Sequence, residues 1–252
     1  MIKKMKHLSQ NQTSEFYDHL VKGDKNRVLL GMSNRYGEGN RIQEKFLKKY
    51  FDDAIISEID HQDQILDFGC GPGIFSARLA KMGGHVVGVD ISQEFVNQAK
   101  NRVTLENTEF IHISSSLSDA LKTQRKFDVI VLVDVIHHLD NIEVSLKEAS
   151  IFLKDGGKII VFEPNLINPV LFALHLLDPN ERGLLRVGTR SKYLRIFKDL
   201  GCTSEKVEWN GIVIGPASNL FFMISRVLTA KHINRILGWL SPKIFLVFRK
   251  PI

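Results

Sequence analysis

The chain has 252 residues, 44% of them hydrophobic, 25% charged and 9% aromatic, a globular composition long enough to bury a core of its own. Its two cysteines, Cys70 and Cys202, exclude a disulfide scaffold and a zinc site with four cysteine ligands. The net charge of +6 is lopsided, because residues 181–252 hold 13 Lys and Arg against 4 Asp and Glu. An anionic partner for that quarter and a plain solvated basic face both fit this asymmetry. The basic start Met1–His7 runs into polar residues rather than an apolar stretch, and no window of 18 apolar residues exists. A soluble, cytoplasmic, reduced protein with no signal peptide or spanning helix is expected.

Residues 9–56 hold one or two helices, an N-terminal helical cap over 1–58. Gln64–Phe68 is a short apolar run ended by a glycine cluster, and Ile74–Met82 has helical spacing stopped by Gly83-Gly84. His85–Asp90 is a second strand rich in β-branched residues. Ser92 caps the next helix, in which Phe95, Val96, Ala99 and Val103 recur at the 3.6 period. Strands follow near 108–113, 127–133 and 157–163, with a helix at 141–153 closed by Asp155-Gly156-Gly157. Runs such as Val129–Val133 are apolar at every position, as a parallel sheet covered on both faces requires. The alternation implies right-handed crossovers and a doubly wound α/β domain over 59–252.

After residue 200 the pattern changes. Thr203–Trp209 and Lys243–Arg249 read as an antiparallel edge pair. Insertions at 164–190 and 211–242 are mostly apolar and read as lids over the carboxyl ends of the strands. Within the second, Leu220, Ile224, Val227, Ala230, Ile233, Leu237 and Leu240 form a stripe beside Arg226, Lys231 and Arg235. This predicts one amphipathic helix near 218–240, packed on the core as a lid. Peripheral membrane contact through 218–240 is the alternative.

The segment Ile65-Leu66-Asp67-Phe68-Gly69-Cys70-Gly71-Pro72-Gly73 leaves a buried strand and enters a helix. A ligand can approach bare backbone there. Seventeen residues after Gly73, Asp90 ends the next strand, placed to accept both hydroxyls of a ribose. A dinucleotide fingerprint needs a third glycine at position 74, which is Ile74. A pyrophosphate would also sit poorly beside Asp67, whereas a ligand with an amino group and a sulfonium would not.

The segment resembles motif I of the class I S-adenosylmethionine-dependent methyltransferases, and the likeness extends over roughly residues 60–165. Phe127–Leu139 is similar to that family's fourth-strand motif, and Leu153–Val161 to its turn into the fifth strand. The resemblance implies a Rossmann-like seven-stranded sheet in the order 3-2-1-4-5-7-6. It implies S-adenosyl-L-methionine as cofactor and S-adenosyl-L-homocysteine as product. By resemblance, Asp67, Gly69, Cys70 and Gly71 pass under the methionine part, with Val133 beside them. Asp90 binds the ribose and Ile91 lies against the adenine. Where the family has an Asp after the third strand this chain has Ser114-Ser115-Ser116, so Ser115 or Ser116 is expected near the adenine amino group.

Methyl transfer from a sulfonium is an in-line displacement served by alignment and a dry pocket. Candidates for a base, if the acceptor needs one, are Asp134, His137 and His138 at the end of the fourth strand, with Glu163 a further possibility. The Asn/Asp-Pro-Pro-aromatic motif of adenine amino methylases is absent, and neither cysteine follows a proline. A small, apolar or lipid-like acceptor is therefore expected and no metal site, the methylated atom staying open between oxygen, nitrogen and carbon. Two other readings stay open: a non-catalytic binder of the nucleoside, and a nucleic-acid methyltransferase using the basic C-terminal region.

Overall fold

The computed structural model describes residues 9–21, 41–121, 125–177, 181–213 and 218–252. The basic start Met1–His7 and the 22–40 part of the expected cap lie outside the described residues.

Seven strands form one sheet: β1 (Gln64–Phe68), β2 (His85–Asp90), β3 (Thr108–His112), β4 (Phe127–Val133), β5 (Leu153–Pro164), β6 (Thr203–Asn210) and β7 (Lys243–Arg249). Their order is β3-β2-β1-β4-β5-β7-β6, as expected. β1 to β5 run parallel, and β7 enters antiparallel between β5 and β6. The helices are α1 (Gln10–Val21), α2 (Arg41–Leu47), α3 (Asp53–Ile55), α4 (Ile74–Lys81), α5 (Gln93–Arg102), α6 (Leu117–Leu121) and α7 (Ile142–Ile151). They continue with α8 (Pro169–Leu177), α9 (Leu184–Val187), α10 (Arg190–Asp199), α11 (Asn219–Thr229) and α12 (Lys231–Leu237). A π-helical turn, Lys48–Asp52, joins α2 to α3.

Alternation along each strand builds two cores, one on each face of the sheet. Ile130, Leu132, Val161 and Leu246 pack with Leu146 of α7 and with Tyr193 and Phe197 of α10. Val129, Val131, Ile160 and Phe245 pack with Phe46 and Phe51 from the N-terminal helices and with Phe75 and Leu79 of α4. Stacked pairs tie the antiparallel β7 into both layers, Phe162 on Phe245 at 4.5 Å and Phe197 on Phe248 at 4.2 Å between ring centroids. Arg78 of α4 bridges Glu44 and Asp52, anchoring the N-terminal helices to the crossover.

Two expected elements differ. The helix after β4 ends at Ile151, and β5 begins at Leu153 rather than near 157. Leu153 is fully buried and pairs with Phe127, and the chain then bulges through Gly156 at φ +73° before Lys158 pairs with Val129. Burial of Leu153 outweighs the turn signal of Asp155-Gly156-Gly157.

The single helix near 218–240 is two helices broken at Ala230, whose ψ of 133° is extended. The Thr229 hydroxyl donates back to the Ser225 carbonyl at 2.7 Å, and the Asn234 amide donates to the Leu228 carbonyl at 3.2 Å. These bonds give backbone oxygens an alternative to helix continuation. Nor is the apolar stripe the packed face. α11 rests on the protein through buried Ser225 and through Phe222, edge-on to Phe46 at 5.1 Å, while Leu220, Val227 and Leu237 are exposed. Among the described residues no helix is long and apolar enough to cross a membrane.

Candidate active site

The glycine loop lies where β1 stops and α4 begins. Gly69, Gly71 and Gly73 have φ of +80°, +50° and +80°, values that favour glycine. Gly69 N–H and Cys70 N–H both donate to the Val89 carbonyl, at 2.8 and 3.0 Å, and Gly73 N–H to the Cys70 carbonyl at 3.1 Å. Gly71 N–H donates to Asp90 Oδ2 at 2.8 Å. These amides are committed inside the protein, so the loop is no phosphate cradle and presents α-carbons and carbonyls instead. A β-carbon on Gly71 would meet nothing within 4 Å, whereas one on Gly69 would stand 2.5 Å from Val135 Cγ2. The loop is open above Gly71 and closed below Gly69.

Asp90 ends β2 with Oδ1 accepting from Ser92 N–H at 2.9 Å. Burial pushes its carboxyl up to about 6, against the hydrogen bonds from Ser92, Gly71 and Ile91. Asp67 turns down into the strand–helix junction, where the Ser76 hydroxyl donates to Oδ2 at 2.5 Å. Burial, with the charge of Asp90 adding to it, takes its carboxyl to about 7. Cys70 and Val133 are buried and Ile91 is half-buried. Ser115 donates to Asp119 Oδ2 at 2.8 Å, and the Ser116 hydroxyl accepts from Asp119 N–H at 3.0 Å. Both serine hydroxyls thus hold the start of α6.

Helix α1 crosses this edge, a contribution the sequence reading did not foresee. Ser14 donates to the Ile91 carbonyl at 3.0 Å, Ser92 donates to Asp18 Oδ1 at 2.5 Å, and Tyr17 Oη lies 3.1 Å from His138 Nε2. Positions 14, 17 and 18 share one helix face, and that spacing is the signal that could have found them.

At the end of β4, Asp134 has φ +55° and pairs with Lys243 of β7. Glu163, fully buried on β5, fixes the turn that follows: its Oε1 accepts from Val135 N–H at 2.7 Å and from Ile136 N–H at 2.8 Å. Its Oε2 meets His137 Nδ1 at 2.6 Å, and His137 Nε2 faces Glu181 Oε2 at 3.3 Å. Burial alone would lower the His137 pKa, but the charge and hydrogen bond of Glu163, with Glu181 opposite, raise it to about 10. The ring's two nitrogens therefore both face carboxylates. Glu181 and Lys243 went unread because they lie 44 and 109 residues from their partners.

Beside Asp134 opens a cavity of about 330 Å³ between α8 and α11. Val170, Leu171, Ile212, Phe221, Ile224 and Leu228 form apolar walls. Asp134, Lys243, His175 and Glu181 supply its polar end.

Sheet order, glycine loop and terminal carboxylate together give the fold of the class I S-adenosylmethionine-dependent methyltransferases. Residues 66–161 match the family model described as a methyltransferase domain. The ubiquinone biosynthesis O-methyltransferase of Coxiella burnetii (strain Dugway 5J108-111) is 30% identical over 111 residues, 44% of this chain and 46% of that protein. The chain thus spans less than half the length of this curated relative. The fold is also that of the plantazolicin methyltransferase bound to S-adenosylhomocysteine and a desmethyl substrate analogue, at 16% identity and TM-score 0.58, covering 96% of this chain and 98% of that one. It is shared equally by a [4+2]-cyclase, at 15% identity and TM-score 0.58, covering 98% and 99%.

Proposed function

We propose that this chain transfers the methyl group of S-adenosylmethionine to a small, largely apolar acceptor seated between α8 and α11. The observation that carries the reading is the adjacency of two spaces. Val135 underlies the glycine loop, and the residue before it, Asp134, lines the apolar cavity. A donor held above Gly71 with its ribose on Asp90 and an acceptor in the cavity would approach each other across the end of β4. Residues 59–252 act as the transferase domain, and the N-terminal cap contributes α1 over the donor side.

The chemistry asks little of side chains beyond alignment. Positive charge leaves the sulfur as the methyl moves, so a dry, apolar wall favours the displacement over the solvated ground state. Asp134, turned outward by its left-handed backbone and paired with Lys243, is suited to hold a polar atom of the acceptor and to take its proton where it has one. His137 acts as a positioning residue, holding the turn through Glu163. Tyr17 holds the His138 ring at the donor side.

One observation favours a lipid-like acceptor drawn from a membrane. Val170 and Phe172 of α8, Leu220, Met223 and Val227 of α11 and Ile236 of α12 are exposed apolar side chains. Arg226, Lys231 and Arg235 are exposed on the same two C-terminal helices. Such a surface suits peripheral contact with anionic lipid. A cytoplasmic location fits the two free, buried cysteines.

The test replaces Leu228 by Trp to fill the cavity. Acceptor-dependent release of S-adenosylhomocysteine should fall at least about tenfold, about 1.4 kcal/mol, with the affinity for S-adenosylmethionine unchanged. Undiminished release would remove the cavity from the reaction.

A further inference from the structure

Behind Glu181, which lines the cavity, His137 and His138 add more ligating groups than methyl transfer requires. We propose that His137, His138 and Glu181 form a binding site for one divalent transition-metal ion of the zinc or cobalt(II) class. The inference stands independently of the methyl-transfer reading, because it concerns ion binding alone.

The three residues each offer one ligand atom, and these atoms lie within 4.8 Å of one another. Two imidazoles and a carboxylate are a borderline donor set that favours zinc, cobalt or iron over magnesium or calcium. His137 is already held as metal-bound histidines are: Nδ1 meets Glu163 at 2.6 Å, which sets the ring orientation and turns Nε2 toward Glu181. Tyr17 Oη, at 3.1 Å from His138 Nε2, steadies the second ring.

A charge-assisted N–H···O bond in a dry site closes to about 2.7–2.9 Å. His137 Nε2 and Glu181 Oε2 stay 3.3 Å apart although both side chains are almost wholly buried. The edge of a tetrahedron with metal–ligand lengths of about 2.0–2.1 Å is about 3.3 Å, so this pair, which makes a hydrogen bond at that distance, is also spaced to share one ion. His175 repeats the pattern from behind. Its Nδ1 is engaged by the Leu171 carbonyl at 2.7 Å, and its Nε2 faces the same Glu181 oxygen at 3.5 Å.

Charge balance agrees with this. Glu163 and Glu181 are two buried carboxylates on either side of one ring, and a divalent cation beside them would offset their charge. Three protein ligands leave a fourth position for a small ligand, and Glu181 also lines the cavity, so an ion held here would lie next to that space. Sequence spacing hid the site, because Glu181 stands 44 residues from His137 and follows no ligand motif.

The test titrates Co²⁺ into the untagged chain after chelator treatment and dialysis, and reads visible ligand-field bands alongside calorimetry. One equivalent should saturate the wild type, and Zn²⁺ should bleach the bands by displacement. Glu181→Gln and His138→Ala, checked as folded by circular dichroism, should bind at least about tenfold more weakly. Absence of saturable uptake by the wild type would overturn the proposal. So would equal uptake by both variants, which would place the ion elsewhere.

Discussion

Val135 occupies the space that a side chain on Gly69 would need, with its Cγ2 2.5 Å from where that β-carbon would stand. The contact couples the donor loop at the end of β1 to the turn that carries Asp134 at the end of β4. Gly69→Ala should therefore meet two penalties, a left-handed φ of +80° and a collision beneath the loop. The expected result is a lowered melting temperature together with weakened S-adenosylmethionine binding. Adding Val135→Ala should recover part of both, with a coupling on the order of 1 kcal/mol in a double-mutant cycle. Strict additivity would mean that the two loops do not share this space.

The proposed donor site rests on Asp90, which accepts from Gly71 N–H of the glycine loop. Asp90→Ala should weaken S-adenosylmethionine by about 1.5–3 kcal/mol, the range for hydrogen bonds to a charged group, and Asp90→Asn by less. Because only the ionised form accepts from both ribose hydroxyls, wild-type affinity should fall as pH drops below about 6. Calorimetry at several pH values reads both effects, and an affinity independent of pH and of this side chain would remove Asp90 from the site. NADH should not bind, since the loop amides are already engaged within the protein.

Asp67 governs the pH dependence of stability with a definite sign. Its folded pKa of about 7 lies above its ordinary 3.8 because of burial, so the folded chain binds this proton more tightly than the unfolded chain. The resulting stabilisation is complete below the unfolded value and is lost as pH rises through about 7. Asp67→Asn keeps an acceptor for Ser76 and removes the titration. Its melting temperature should overtake that of the wild type above neutral pH, and parallel curves from acid to alkaline pH would contradict this.

The clasp made by α1 predicts a kinetic effect. Asp18→Asn weakens the contact with Ser92, and Ser14→Ala removes the bond to the Ile91 carbonyl. Both lie on a peripheral helix, so the sheet should keep its melting temperature. Dissociation of S-adenosylmethionine in stopped flow should quicken, each bond being worth about 0.5–1.5 kcal/mol. Unchanged dissociation would make α1 a bystander.

The exposed apolar and basic faces of α11 and α12 predict salt-sensitive binding to anionic vesicles, each basic residue contributing about 1 kcal/mol near the surface. Arg226→Glu with Arg235→Glu should release the chain without changing its affinity for S-adenosylmethionine. If the wild type fails to sediment with vesicles at low salt, the acceptor reaches the cavity from solution.

Local pattern makes the sheet and the glycine loop legible, because continuous apolar strands, helix caps such as Ser92 and the glycine run act over a few residues. One departure arose where tertiary burial overrode a local signal, Leu153 joining the sheet despite the turn residues behind it, and the other where local side-chain hydrogen bonds of Thr229 and Asn234 diverted the backbone at Ala230. The acceptor side was far less legible. Its polar end joins Asp134 to Lys243 and His137 to Glu163 and Glu181 across crossovers, and no periodicity encodes which strand ends meet. The apolar stripe of 220–240 is largely exposed rather than packed on the core, since periodicity gives a face but not what covers it.

The central claim is that donor and acceptor occupy adjoining but separate spaces. The most direct measurement compares wild type and Leu228→Trp for S-adenosylhomocysteine formed from S-adenosylmethionine with an apolar metabolite extract, alongside calorimetric S-adenosylmethionine affinity. The account predicts product from the wild type, at least about tenfold less from the variant, and one affinity for both. Joint loss of product and affinity, or product undiminished in the variant, would contradict it.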